Sequence, residues 1–217
     1  QLVSNAAHEL RTPLMIIRGE LEGMLDGLLP VTPETLQSLH DEASRLTTIL
    51  DGVDELTRAQ TAVLQLHRQR VTLLSLLQGI ASRFERTAQE QQISILVSGN
   101  QELTAWLDPD RFTQIITNLI SNALKAMPNG GTLEIRLSAT AQARYIEVID
   151  TGTGIPEELL PHVFERFAKG KTGGLGLGLA IVKELVAAHG GSIAVTSSTG
   201  SGTCFRIELP ENDGGTA

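Results

Sequence analysis

The sequence predicts a two-domain chain, an all-α antiparallel helical hairpin followed by an α+β two-layer sandwich. Apolar residues recur at alternating steps of four and three through the N-terminal third, the mark of paired helices. Beyond Arg70 that spacing gives way to short strand-like runs interleaved with helix-like ones. At 217 residues and 41% hydrophobic content the chain can bury a core in each of two domains.

In the first segment Val3, Ala7, Leu10, Leu14, Ile17, Leu21, Met24 and Leu28 form one heptad seam. Pro30-Val31-Thr32-Pro33 interrupts it, with Thr32 placed as an N-cap and Pro33 at the first helical position, where a missing N–H does no harm. Leu36, Leu39, Ala43, Leu46, Leu50 and Val53 then repeat the spacing, so the two helices fold back as a hairpin. One neighbouring helix leaves part of such a stripe wet, and pairing of two hairpins into a four-helix bundle homodimer is the expected remedy. On heptads alone a plain coiled-coil dimerisation arm is the preferred reading.

The second segment reads as a helix over 74–89, strands over 93–97 and 103–107, and a helix capped by Asp108-Pro109-Asp110 that runs to Ala126. A strand pair over 132–139 and 144–149, a glycine-rich stretch, a helix over 177–189 and strands over 192–196 and 203–209 complete it. The predicted domains are 1–67 and 71–211, with a hinge near His67 to Arg70 and a disordered tail over 212–217.

Composition removes several function classes. Seventeen basic against 25 acidic residues leave a formal charge of −8, which offers no field for a nucleic-acid backbone. The single cysteine, Cys204, cannot close an internal disulfide and reads as a buried structural thiol. No apolar run reaches membrane-spanning length and no leader pattern is present. Gln1 opens directly on a helical pattern, so we expect a cytoplasmic fragment whose upstream part, with any membrane anchor, is missing.

Three groups of residues can carry chemistry. His8 follows the seam position Ala7 and is expected to project outward, with Thr12 one turn further on the same face and Glu9 about 100° around the helix. Pro13 withholds a donor from the carbonyl of Glu9, so the helix is expected to kink or loosen there. Asn118, Asn122 and Lys125 share one helix face. Two amide oxygens can complete a magnesium shell without adding charge, and the ammonium can neutralise phosphate oxygens. Asp150-Thr151-Gly152-Thr153-Gly154 ends a strand; its carboxylate can accept from an exocyclic amine, and its glycines let backbone approach a flat ring. Gly174, Gly176 and Gly178 lead into a helix whose free amides favour phosphate. Taken singly, each group has a plainer reading as a surface histidine, a local amide bond or an Asp turn. His40, His67, His162 and His189 keep that plainer reading. The glycine run is no dinucleotide fingerprint, because it lacks a strand directly upstream and an acidic residue ending the next strand.

Together and in this order the motifs are specific. His8-Glu9-Leu10-Arg11-Thr12-Pro13-Leu14 resembles the H-box of sensor histidine kinases letter for letter. The asparagine helix, Asp150-x-Gly152-x-Gly154, Phe164-Glu165-Arg166-Phe167 and the glycine run resemble the N, G1, F and G2 boxes of that family. Gly200-Ser201-Gly202-Thr203 resembles its closing nucleotide-site motif. The resemblance covers essentially the whole chain and implies a dimerisation and phosphotransfer domain followed by an ATP-binding sandwich of the type shared with gyrase and heat-shock chaperones. It implies His8 as phosphoacceptor, Glu9 as its base, Thr12 as a residue for dephosphorylating the partner, and ATP with Mg2+ as donor and cofactor. Asn122, supported by Asn118, becomes the metal ligand, and Lys125 a phosphate contact. Asp150 holds the adenine amine beside Gly152 and Gly154; Gly174, Gly176 and Gly178 border the phosphates; Thr203 lines the nucleotide. The partner implied is the receiver domain of a response regulator, and the membrane is reached only through the missing upstream segment of an inner-membrane sensor.

The lid between Phe167 and Gly173 is shorter than the family's, from which modest ATP affinity and fast exchange are expected. A hydrolytic ATPase of the same superfamily is disfavoured, since Asn118 stands one turn before Asn122 where those enzymes carry a water-activating glutamate. A non-catalytic scaffold is disfavoured because every polar group the chemistry needs is present.

Overall fold

A computed structural model describes residues 2–62, 66–165 and 176–211, apart from the side chains of 2–9, 48 and 51–62. The lid, the Arg166-Phe167 half of its flanking motif, Gly174 and the expected tail lie outside the described residues. By its contacts the chain divides into two units, 1–57 and 58–217.

The first unit holds α1 (Leu2–Leu25) and most of α2 (Pro33–Ala62). Pro33 occupies the first position of α2, and the Thr35 N–H donates to Thr32 Oγ1 at 3.3 Å while the Thr32 N–H donates to Thr35 Oγ1 at 2.9 Å. This reciprocal cap starts α2 where the sequence places it. α1 continues through Pro13 as one helix, so the expected loosening does not interrupt it. The seam is only partly covered within one chain. Ile49, outside the predicted seam, is fully buried, whereas its neighbour Leu50 is exposed. Two helices can bury only the strip along their line of contact, and the rest of the apolar stripe stays outside.

In the second unit five strands form one sheet in the order β2-β4-β5-β7-β6, where β2 is Ile93–Gly99, β4 Gly131–Ala139, β5 Ala143–Asp150, β6 Ser192–Ser197 and β7 Thr203–Pro210. β2 and β4 run parallel and the remaining pairs antiparallel. Helices α3 (Leu73–Ser82), α5 (Pro109–Ala126) and α6 (Gly178–Ala188) supply the second layer. The inward face of α5 shows why: Phe112, Ile115, Ile116, Leu119, Ile120 and Ala123 recur at helical spacing and all are buried. Each of the larger side chains contributes about 1.5–3 kcal/mol by leaving water. On the outer sheet face charges of alternating sign line up across three strands. Arg206 Nε donates to Glu147 Oε1 at 2.8 Å, Arg136 Nη1 stands 3.7 Å from Glu147 Oε2, and Arg136 Nη2 donates to Glu134 Oε2 at 2.8 Å.

The sequence reading differs from the structure in four places. The single helix expected over 74–89 is two, α3 and α4 (Glu85–Glu90), and the Ser82 hydroxyl donates to the Gly79 carbonyl at 3.0 Å at the break. Gln69–Thr72 is strand β1, paired with β3 (Thr104–Leu107) in a separate ribbon. The expected hinge is therefore tied down: the His67 N–H donates to Asp108 Oδ2 at 2.9 Å and Arg68 Nη2 donates to the Ala188 carbonyl at 2.7 Å. Cys204 lies half-buried on the outer sheet face rather than in the core, and partial burial, with Glu147 nearby, pushes its thiol up.

Candidate functional site

Asp150 is the last residue of β5 and is buried. Its Oδ1 accepts from the Gly152 N–H at 2.8 Å and the Thr203 N–H at 3.2 Å; Oδ2 accepts from nothing among the described residues. Burial pushes the carboxyl above its ordinary range, and the two backbone donors only partly offset this. One oxygen is thus spent on holding the group in place, and the other is available to a ligand donor.

The loop after Asp150 is fixed from three sides. The Thr153 N–H donates to the Ala126 carbonyl at 3.0 Å, the Gly200 N–H donates to the Thr153 carbonyl at 2.8 Å, and the Ile155 N–H donates to Ser197 Oγ at 2.8 Å. A Cβ on Gly152 would stand 2.6 Å from the Ala126 carbonyl oxygen. On Gly154, with φ +70°, a Cβ would overlap the Ser198 carbonyl oxygen. These two glycines let the loop lie directly on the end of α5 and on the β6–β7 turn. Ser197 also donates to the Gly202 carbonyl at 2.7 Å and lies 3.1 Å from Thr203 Oγ1. Neither this nor the bond from Thr151 Oγ1 to Met127 Sδ at 3.7 Å had any signal in the sequence, since isolated Ser, Thr and Met carry no spacing.

Asn118, Asn122 and Lys125 lie on α5, with Lys125 exposed in the last turn and the asparagines half-buried. Asn118 Nδ2 is buried and has no hydrogen-bond partner among the described residues. Such an orphan costs roughly 1–3 kcal/mol unless a ligand oxygen meets it. Gly178 opens α6 opposite this group, where an added Cβ would sit 3.8 Å from Asn118 Cγ; Gly176, with φ +66°, lies two residues before it. An unmet donor, uncharged amide oxygens and a helix N-terminus facing them suit phosphate oxygens and a hard cation such as Mg2+.

The structure thus brings Asp150, Gly152, Gly154 and Thr203 together at one end of the sheet, and joins them to α5 through Ala126. It sets Gly178 against Asn118. His8, Glu9 and Thr12 belong to the other unit, on α1. Thr12 is exposed there, and the side chains of His8 and Glu9 are outside those described.

A sheet-end carboxylate that answers to an asparagine helix on one side and a glycine-opened helix on the other defines the class: an ATP-binding two-layer sandwich of the kind shared by histidine kinases, gyrase and heat-shock chaperones. Residues 107–213 match the histidine kinase-, DNA gyrase B- and HSP90-like ATPase family, and residues 1–62 match the His Kinase A phospho-acceptor domain. The chain belongs to the sensor histidine kinases, as their two-domain core. It is 35% identical over 221 residues to the sensor histidine kinase WalK of Bacillus subtilis, covering 97% of this chain and 36% of that protein. It is 33% identical over 214 residues to the histidine-protein kinase BaeS of Escherichia coli, covering 96% of this chain and 46% of BaeS. The chain therefore spans between about a third and a half of the length of these relatives. Among solved structures, the Acinetobacter baumannii histidine kinase AdeS superposes with a TM-score of 0.69 at 25% identity, over 95% of this chain and 98% of that one. ShkA in complex with AMPPNP does so at 0.70 and 30%, over 97% of this chain and 45% of ShkA. The histidine kinase ThkA in complex with the response regulator TrrA gives 0.70 and 25%, over 97% and 61%. Among the described residues no helix is long and apolar enough to cross a membrane.

Proposed function

We propose that this chain transfers the γ-phosphoryl of Mg-ATP to its own His8 and then passes it to an aspartate on a response-regulator receiver domain. The observation that carries this reading is the pairing of an H-box on α1 with a buried, half-free Asp150 and an orphaned Asn118 donor in the second unit. The functional domains are 1–67 and 71–211.

Asp150 Oδ2 accepts from the adenine amine while Thr203, Gly152 and Gly154 wall the ring. Gly174, Gly176 and Gly178 lead the α6 N-terminus to the phosphates, and Lys125 draws off part of their charge. Mg2+, held by Asn122 and Asn118, would supply the positive charge that balances the phosphate oxygens during transfer. Glu9 holds one ring nitrogen of His8 so that the other, unprotonated, forms the N–P bond as the bond to the ADP oxygen breaks. For the second step the imidazole is the leaving group and the receiver carboxylate the acceptor. Thr12 orients water for dephosphorylating that partner, a role its exposure one turn from His8 supports. The kinase complex with TrrA supports a receiver as partner.

Exposed seam residues support a homodimer. Leu14, Leu21, Leu36 and Leu50 are 57%, 45%, 52% and 55% exposed on the single hairpin. A second hairpin would cover them in a four-helix bundle.

Incubation with γ-labelled ATP and magnesium, followed by mapping of the labelled residue, tests the reading. Acid-labile, base-stable label on His8, abolished in His8→Gln, is expected. Label that survives in that variant refutes the assignment, as does steady phosphate release without any label.

A further inference from the structure

At the end of α5 and α6 away from the nucleotide residues lies a second polar cluster that the proposed chemistry does not use. Asp108 divides its carboxylate between two tasks. Oδ1 accepts from the Asp110 and Arg111 N–H groups, both at 3.1 Å, which caps α5. Oδ2 accepts from the His67 N–H at 2.9 Å, 41 residues away in sequence, on the segment that leads out of α2. The Asp108 N–H donates to His189 Nε2 at 3.1 Å, and His189 Nδ1 lies 2.7 Å from the Leu185 carbonyl. A carbonyl can only accept, so His189 is the neutral tautomer with its proton on Nδ1. Arg68 closes the ring by donating from Nη2 to the Ala188 carbonyl at 2.7 Å. Phe112 meets the imidazole edge-on at 6.3 Å.

Consecutive residues of the linker are therefore bonded to two different helices, His67 to the start of α5 and Arg68 to the end of α6. The two helices run in opposite directions, since Asp108 meets His189 at one end and Asn118 meets Gly178 at the other. The two meeting points are about ten residues, or roughly 15 Å, apart along each helix. A helix is stiff over such a length, so displacement at one end reappears at the other. The cluster sits where strain in the linker would change how α5 and α6 slide past each other, and with it the separation of the asparagine side chains from the α6 N-terminus.

We propose that the Asp108–His189 clasp, with its bonds to His67 and Arg68, couples the interdomain linker to the register of α5 against α6 and so positions the phosphates for transfer to His8. Asp108, His189 and Arg68 are positioning residues in this scheme and touch no reactant. The proposal rests on the proposed kinase function.

The test uses the whole chain with two substitutions chosen to leave the fold intact. Asp108→Ser keeps a good N-cap but is too short to reach both α5 and His67. Arg68→Met keeps the aliphatic stem and deletes only the bond to Ala188. Thermal unfolding, affinity for Mg-ATP and the single-turnover rate of His8 labelling at saturating ATP are measured for each. The expected result is a folded protein with nucleotide affinity within about twofold of the unaltered chain and a labelling rate lowered about tenfold in Asp108→Ser and several-fold in Arg68→Met, the double variant falling no further than Asp108→Ser alone. Labelling at the original rate in both folded variants overturns the clasp. So does a fall in affinity that accounts for the whole loss of rate, because that is local support of the ATP site and not coupling. If Asp108→Ser does not fold, Arg68→Met alone decides. Absence of label on His8 in the unaltered chain overturns the proposed function instead, and the coupling role with it.

Discussion

Two glycines of the nucleotide motifs should respond in opposite ways to the same added methyl group. At Gly152 a Cβ would stand 2.6 Å from the Ala126 carbonyl oxygen and 2.8 Å from Ala126 Cβ, both far inside van der Waals contact and neither on a flexible side chain. Relief requires the Asp150 loop to lift from the end of α5, which strains the Thr153-to-Ala126 bond and the 2.8 Å bond by which Gly152 holds Asp150. Overpacking of this kind costs about 1–3 kcal/mol. For a unit of this size that corresponds to a fall in Tm of roughly 2–12 °C. At Gly178 the nearest atoms to an added Cβ are Asn118 Cγ at 3.8 Å and Oδ1 at 3.9 Å, ordinary contact distances, and the position is helical. Gly178→Ala should leave stability unchanged or raise it by up to about 1 kcal/mol through lower unfolded-state entropy. Its methyl group nevertheless occupies the space beside Asn118, so Mg-ATP affinity should fall about tenfold, or 1.4 kcal/mol. Differential scanning calorimetry with and without Mg-ATP separates the two effects. A Gly152→Ala chain that melts within a degree of the unaltered one, or a Gly178→Ala chain that loses stability and keeps its affinity, refutes the steric argument.

Asp150→Asn should weaken ATP by about tenfold or more, since an amide in place of the acceptor facing the adenine amine offers a donor to a donor; stability should hold or improve, because burial raises the Asp150 pKa and the ionised form is the costly one. Isothermal titration beside urea denaturation checks both, and unchanged affinity excludes Asp150 as the adenine contact. Burial, reinforced by Arg68, holds the His189 pKa below its ordinary 6.5 despite the bond to the Leu185 carbonyl and the nearby charge of Asp108. Its folded form resists protonation while the unfolded chain does not, so stability is fully present above about pH 6.5 and declines as pH falls below it, by at most about 1.4 kcal/mol per unit. Urea midpoints across pH 7.5 to 4.5 should show that decline and His189→Gln should flatten it; an equal slope in both chains places the titrating group elsewhere. Thr12→Ala should abolish dephosphorylation of the receiver partner while His8 labelling persists, followed by loss of label from the phosphorylated regulator; dephosphorylation at the original rate would falsify the role given to Thr12.

Local rules account for what was legible beforehand. The N-cap at Thr32 before Pro33, the Asp108-Pro109 start of α5 and the β4–β5 pair each depend on residues a few positions apart, and the structure places them where the spacing did. The site motifs were readable for the same reason. Asn118 and Asn122 share a helix face by periodicity alone, and Asp150 follows the strand-forming Val148-Ile149 directly before a glycine-rich turn.

Contacts between residues distant in sequence were not available to that kind of reading. Gln69–Thr72 becomes a strand only because Thr104–Leu107 lies alongside it, and four residues have too little pattern of their own. His189, read as an unremarkable histidine, is a buried acceptor because Asp108, 81 residues away, directs its N–H at it. Gly152 read as a glycine for a ligand's sake; the Ala126 carbonyl shows that it is first a glycine for the protein's own packing. The sequence by itself determined most of the helices and strands and which residue types the candidate site offers, since backbone preference and side-chain type act locally. Only the tertiary structure decided which oxygen of Asp150 is free, which donor of Asn118 is unmet and where the linker is held, because hydrogen bonds made in exclusion of water depend on where the rest of the chain has gone.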